Sequence, residues 1–174
     1  MITIICGTNR RNAVSKKLAQ CYSHIMTEKG VGNKLLLLED IPVDFISPDM
    51  YDDKSESFEK IESEYMTPAE KFIFVLPEYN GSIPGFLKLF IDACSVKSVF
   101  WGKKACLVGV AAGQAGNIRG LDHFTSILNH LKVNVYHNKP KISKVLDAID
   151  DKGHLTDQSY WEQLNKQLDG FLQF

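Results

Sequence analysis

Four short, unbroken apolar blocks punctuate the chain: ITII (2–5), KLLLL (34–38), KFIFVL (71–76) and KACLVGVAA (104–112). Blocks of this length without polar alternation are the pattern of strands buried on both faces. A weaker block, VNVY (133–136), supplies a fifth. Between them the apolar positions recur at helical spacing. Ser15–Glu28 carries Leu18, Ala19, Tyr22, Ile25 and Met26 on one side, and Phe58–Tyr65 carries Ile61 and Tyr65, with Met66 just beyond. Pro84–Val99 carries Phe86, Leu87, Phe90, Ile91 and Cys94; Ile118–Leu131 carries Leu121, Phe124, Leu128 and Leu131; Tyr160–Phe171 is the last such segment. Strand and helix therefore alternate five times, which calls for a parallel sheet with helices on both faces. Right-handed crossovers leave few topologies, and the expected α/β architecture is a doubly wound, five-stranded parallel sheet of order 2-1-3-4-5.

Composition bounds what this sheet can serve. The 174 residues, 44% hydrophobic and 24% charged, are expected to form one domain over residues 1–174 with a sizeable core. A formal net charge of -1 gives no electrostatic footprint for nucleic acid or an anionic membrane. No apolar run approaches the roughly 18–20 residues of a membrane-spanning helix. The opening MITIICGTNRR does not read as a signal peptide, because its positive charge follows a very short apolar run. Cys6, Cys21, Cys94 and Cys106 form no CxxC pair, and a cytoplasmic, reduced protein is expected.

Ligands of such sheets bind outside the carboxyl ends of the strands, where the strand order reverses. The loops that follow strands one, three and four are CGTNRRNAVS, PEYNGSIPG and AAGQAGNIRG, and they are rich in Gly, Asn and Ser. The first precedes a helix whose N-terminus offers unpaired N–H groups and the positive end of a dipole. Thr8 and Ser15 add hydroxyls there, and Arg10 adds a guanidinium fork. The dinucleotide pattern GxGxxG fails at Asn9, no Gly-Lys precedes a Ser or Thr, and a Cys-x5-Arg phosphatase signature fails because Asn12 stands where the arginine belongs. A monophosphate seat remains, beside the plainer reading of a capped helix with two solvated arginines.

The second loop admits two readings. Asn80-Gly81 is a strong hairpin signal. The residues after it suit a helix start instead, with Ser82 able to cap and Pro84 able to open the first turn. On the latter reading the loop is a rigid shelf for a flat heteroaromatic ring, with Tyr79 supplying an aromatic face or edge.

GTNRRNAVS, PEYNGSIPGFLKLFID, GQAGNIRG and the tail LDAIDDKGHLTDQSY together resemble the NAD(P)H-dependent FMN reductase family, flavodoxin-like flavoproteins that include quinone and azo-dye reductases. The resemblance implies FMN as cofactor, NADPH or NADH as electron donor, a small-molecule acceptor (free flavin, quinone or azo compound) and a homodimer. It implies that Thr8, Arg10 and Ser15 hold the FMN phosphate and that Pro77, Glu78, Tyr79, Asn80 and Gly81 line the isoalloxazine and ribityl chain. The loop with Gly113, Gln114, Gly116 and Asn117 would close over the other side of the ring. Leu89 and the single-glycine spacing of the third loop depart from the family's usual pattern.

Little else competes. The five histidines share no ligand spacing. Reading DDKGHLTD as a calcium loop places Ala148 at the first ligand position, so a surface turn is expected. The acidic stretch DMYDDKSESFEKIESE reads as a solvated loop and helix face. Two other functions are weighed: an FMN-binding redox carrier without efficient NAD(P)H turnover, and a phosphatase-like enzyme that uses Cys6.

Overall fold

The computed structural model describes residues 1–150 and 153–174; Asp151 and Lys152 of the expected surface turn lie outside the described residues. Strands β1 (Ile2–Cys6), β2 (Asn33–Leu37), β3 (Lys71–Pro77), β4 (Lys104–Val110) and β5 (Asn134–Val135) form a parallel sheet of order β2-β1-β3-β4-β5. Seven α-helices are described: α1 (Val14–Glu28), α2 (Glu56–Ile61), α3 (Gly85–Ala93), α4 (Val96–Val99), α5 (Ile118–His130), α6 (Val145–Ala148) and α7 (Gln158–Gln173).

The unbroken apolar blocks are explained by the sheet's two covered faces. Ile4, Cys6, Ile73, Val75, Cys106 and Val108 pack under α1 and α7, together with Leu18, Tyr22, Leu164 and Phe171. Ile5, Phe72, Phe74, Leu76 and Leu107 point the other way, against Phe58, Leu87, Phe90 and Phe124 of α2, α3 and α5. Alternate residues of one strand thus enter two different cores.

Two expectations need correction. The helix expected over 84–99 is two helices, because the chain turns extended at Cys94 (ψ 148°) and the Ser95 N–H donates to Glu62 Oε1 at 2.6 Å. Glu62 also accepts from Lys54 Nζ at 2.6 Å and is buried, so one member of the acidic stretch holds a helix junction while most of its other acidic residues are exposed. The second correction concerns the sheet. VNVY contributes only two paired residues, and a sixth strand, β6 (Lys141–Ile142), joins the same edge of β4.

That edge is interrupted. β5 pairs with Lys104 and Ala105, and β6 with Gly109 and Val110, while residues 136–140 swing away between them. Tyr136 N–H still reaches the Ala105 carbonyl (2.8 Å), and Gly109 N–H reaches the Pro140 carbonyl (2.9 Å). The carbonyl of Leu107, between these two, has no strand opposite. Gln167 of α7 fills the gap: its Nε2 donates to Leu107 O at 2.8 Å and to Asn138 O at 2.9 Å. Its Oε1 accepts from the Tyr22 hydroxyl at 2.6 Å, and both side chains are fully buried. Burial pushes the Tyr22 phenol well above its usual range, so it stays a donor.

Replacing Gln167 by Leu leaves these buried groups without their partner. Each such group costs about 1–3 kcal/mol, so Gln167→Leu is expected to lower stability by about 2–4 kcal/mol. Urea unfolding measures this, and an unchanged midpoint would show that the interrupted edge does not depend on Gln167.

Candidate functional site

The strand order reverses between β1 and β3, so the loops leaving their carboxyl ends open a crevice. Gly7 continues the ladder past β1 by donating to Val75 O at 2.9 Å. A Cβ there would lie 3.0 Å from that carbonyl and 3.1 Å from Leu87 Cδ2, so a side chain would press its neighbours apart by a few tenths of an ångström. The chain then doubles back through Asn12 (φ 58°) and enters α1 from Ala13, without any side chain capping the helix and without an acidic residue in its first turn. The N-terminal N–H groups of α1 therefore face a cavity with no internal acceptor from a cap.

Opposite stands the shelf. Glu78 N–H donates to Val110 O at 2.8 Å, which carries the β3 backbone past the last paired residue, Pro77. Tyr79 and Ser82 exchange two backbone hydrogen bonds of 3.0 Å, with Asn80 (φ 51°) and Gly81 (φ 77°) at the tip. Both readings of this loop hold in part: it is a minimal hairpin, and α3 begins three residues later. Pro84, rather than Ser82, occupies the cap position, and Ser82 Oγ lies 2.9 Å from His123 Nδ1 on α5.

One hydrogen bond joins the two loops. Thr8 Oγ1 lies 2.9 Å from the Tyr79 hydroxyl and accepts from the Arg10 N–H at 3.2 Å. Thr8 is 1% exposed, so it works behind the crevice wall as a tie. The crevice itself holds a cavity of about 190 Å³. Of the residues singled out in the sequence, Arg10, Ser15, Pro77, Glu78 and Tyr79 line it, and Asn80 and Gly81 form the adjoining tip.

The third loop lies differently. The carbonyls of Gly113 and Gln114 accept from Lys144 N–H (3.0 Å) and Ser143 Oγ (2.6 Å). Gly116 (φ 56°) is pressed between β4 and β6, where a Cβ would strike Lys141. Asn117 is fully buried; its amide donates to Leu76 O at 2.8 Å and accepts from Gly120 N–H at 3.1 Å, so it fastens α5 to β3. The wall on that side comes from Val110, from Ala111 and Ala112 at the start of the third loop, and from Val145 and Leu146 of α6. Sequence reasoning missed these residues, since their side chains carry no chemistry. The only signal was a run of small residues ending β4, where a ligand can approach the backbone.

Cys6 sits beneath the seat with Sγ 3.7 Å from Ser15 Oγ. Burial pushes its thiol up, outweighing the hydrogen bonds from Ser15 and Thr8 that lower it. A phosphatase nucleophile needs the opposite, a thiolate at neutral pH.

A sequence profile described as NADPH-dependent FMN reductase matches residues 1–146. The chain belongs to that family. It is an FMN-dependent NAD(P)H oxidoreductase. An NAD(P)H-dependent FMN reductase of Pseudomonas aeruginosa is 37% identical over 109 residues, which cover 60% of this chain and 58% of that protein. An NAD(P)H:quinone oxidoreductase of Solanum tuberosum is 29% identical over 175 residues, covering 94% of this chain and 87% of that one. Among solved structures, a flavoenzyme NAD(P)H:(acceptor) oxidoreductase from Paracoccus denitrificans superposes with a TM-score of 0.83 at 22% identity, covering 99% of this chain and 94% of that chain. That likeness bears on the flavodoxin-like fold of the FMN reductase alone.

In this reductase the hairpin backbone and the buried thiol predict opposite sensitivities. Gly81→Val forces a β-branched residue into φ 77°, and a cost of about 1–3 kcal/mol at the tip is expected to slow single-turnover flavin reduction at least tenfold. Cys6→Ser is expected to leave that step within about threefold, since a protonated thiol has no part in hydride transfer. A hundredfold loss in Cys6→Ser with FMN still bound would move the chemistry onto the thiol.

Proposed function

We propose that the crevice between the β1 and β3 loops holds FMN, with its phosphate at the N-terminus of α1 and its ring over the hairpin shelf. The observation that carries this reading is the uncapped α1 N-terminus facing a cavity lined by Arg10 and Ser15 on one side and by Pro77, Glu78 and Tyr79 on the other. The donor set fits a monophosphate: backbone N–H groups, a hydroxyl and a guanidinium stand together, and the carboxylate on the lining, Glu78, comes from the shelf. A cavity of about 190 Å³ is smaller than the roughly 300–1,000 Å³ typical of whole-ligand sites, which suits a phosphate and sugar chain inside with the flat ring outside on the shelf.

The chemistry that bound FMN would supply is hydride acceptance from NAD(P)H and electron delivery to the acceptor. The chain's own part is positional. Arg10 and the α1 N–H groups neutralise the phosphate, and the Thr8–Tyr79 bond keeps seat and shelf at a fixed spacing. The hairpin backbone offers N–H and C=O groups to the ring edge, and Val145 and Leu146 exclude water beside it. A flat small molecule such as a quinone is the acceptor that this open shelf suits, in keeping with the quinone oxidoreductase named among its relatives.

The protein is proposed to act as a homodimer. Exposed Tyr51 and Val96 beside α3 and the half-buried Ile127 of α5 give an apolar face near the shelf that a second copy would cover by two-fold symmetry. A cytoplasmic setting is supported by four free cysteines.

Arg10→Met is expected to weaken FMN binding by about tenfold or more, in the range of one charge-assisted hydrogen bond, and to leave riboflavin binding unchanged. Fluorescence titration of the two flavins measures this, and equal affinity for both in the unmodified protein would remove the phosphate seat. Light scattering at micromolar concentration is expected to give twice the 19.6 kDa chain mass; the chain mass alone would remove the dimer.

A further inference from the structure

We propose that Arg119 binds the phosphates of the nicotinamide donor, on the far side of the hairpin from the FMN phosphate seat. This rests on the reading of the crevice as the FMN site and adds a residue to which neither the sequence pattern nor the family likeness gives a role.

Arg119 lies in the first turn of α5, and its side chain runs along the hairpin tip. Its Cδ and Nη1 are each 3.8 Å from the position a Cβ would occupy on Gly81. The residue is exposed, and among the described residues no carboxylate forms an ion pair with it. The first turn of α5 holds no acidic residue, so the guanidinium sits at the positive end of its own helix uncompensated. A cation in that position does nothing for stability, and an anionic ligand beside the hairpin would satisfy it. His123, one turn further along α5 on the same side, fixes the hairpin through Ser82 and so keeps Gly81 under Arg119.

The chemistry of the reaction says which anion. A nicotinamide must stack on the ring that rests over the shelf, which brings the donor's pyrophosphate to the shelf's rim. NADH carries two phosphate charges there, and NADPH carries a further phosphate. A guanidinium fork matches phosphate oxygens in pairs. Arg10 and Arg119 then divide the work, one for the phosphate of the resident flavin and the other for those of the donor. A quinone acceptor has no such charge to offer.

The test compares the FMN-loaded wild type with Arg119→Ala and Arg119→Lys, using NADPH, NADH and dihydronicotinamide riboside, which has no phosphate, each with 1,4-benzoquinone as acceptor. Arg119→Ala is expected to raise KM about tenfold or more for the phosphorylated donors, with kcat nearly unchanged. The salt dependence of kcat/KM is expected to flatten. Arg119→Lys should restore part of the loss, and the riboside should not distinguish the three proteins. Calorimetric binding of NADP⁺ is expected to weaken by the same factor while FMN content stays constant. A loss confined to NADPH would also support the assignment, placing Arg119 on the 2′-phosphate. Unchanged NADP⁺ binding, an equal loss with the riboside, or a shift in the quinone KM alone would overturn it. If none of the three donors reduces the wild type, the reading of the crevice falls instead, and the NADP⁺ titration still decides the role of Arg119.

Discussion

A parallel sheet covered on both faces has no water with which to satisfy its main chain, and every feature of this fold answers to that constraint. Across β2, β1, β3 and β4 the ladder meets it residue by residue. At the outer edge of β4 the neighbouring strand is broken, and a side chain takes over. Gln167 offers its amide hydrogens to two carbonyls and its oxygen to Tyr22, so one residue joins α7, α1 and the edge of β4. The break also decides where α6 lies. Because β6 pairs with the upper end of β4, the chain leaves the sheet level with Ala111, and Val145 N–H meets the Ala111 carbonyl at 3.1 Å. One wall of the crevice is thus a consequence of how the sheet edge is completed.

The site is made in the same way, by backbone groups that run out of partners. At the carboxyl ends of β1 and β3 the ladder stops, and the two loops diverge around a cavity. Gly7 permits the close crossing, Asn12 and the Asn80-Gly81 tip supply the left-handed turns, and Thr8 with Tyr79 holds the two sides together. The side chains with obvious chemistry are few. A reaction carried by a cofactor asks the protein for shape and charge rather than for an acid and a base.

How much of this could be read from the sequence differs from element to element. The four main strands and their order were legible because burial on both faces leaves blocks such as KFIFVL with no alternation. The two loops that frame the cavity were legible because tight turns use distinctive residues, Gly7 and Asn80-Gly81 among them. The β5 break was not, since a two-residue strand has no periodicity to detect. Neither was the helix break at Cys94, which depends on the bond from Ser95 to Glu62, 33 residues away in sequence. Gln167 looks like an ordinary polar residue, and Asn117 like part of a loop over the ring, until long-range contacts bury both. Arg119 stands within GQAGNIRG, but only its place beside Gly81 distinguishes it from a solvated arginine.

The Gln167 bridge has a consequence for the order of assembly. All six described strands precede α7 along the chain. During synthesis the β1, β3 and β4 ladder can therefore form while the Leu107 carbonyl and the Tyr22 hydroxyl still lack their partner. Until residue 167 leaves the ribosome, the nascent sheet presents an unfinished edge, the kind of surface on which chaperones act and at which strands of neighbouring chains add on. Docking of α7 is then the event that closes the β4 edge at Leu107 to intermolecular pairing.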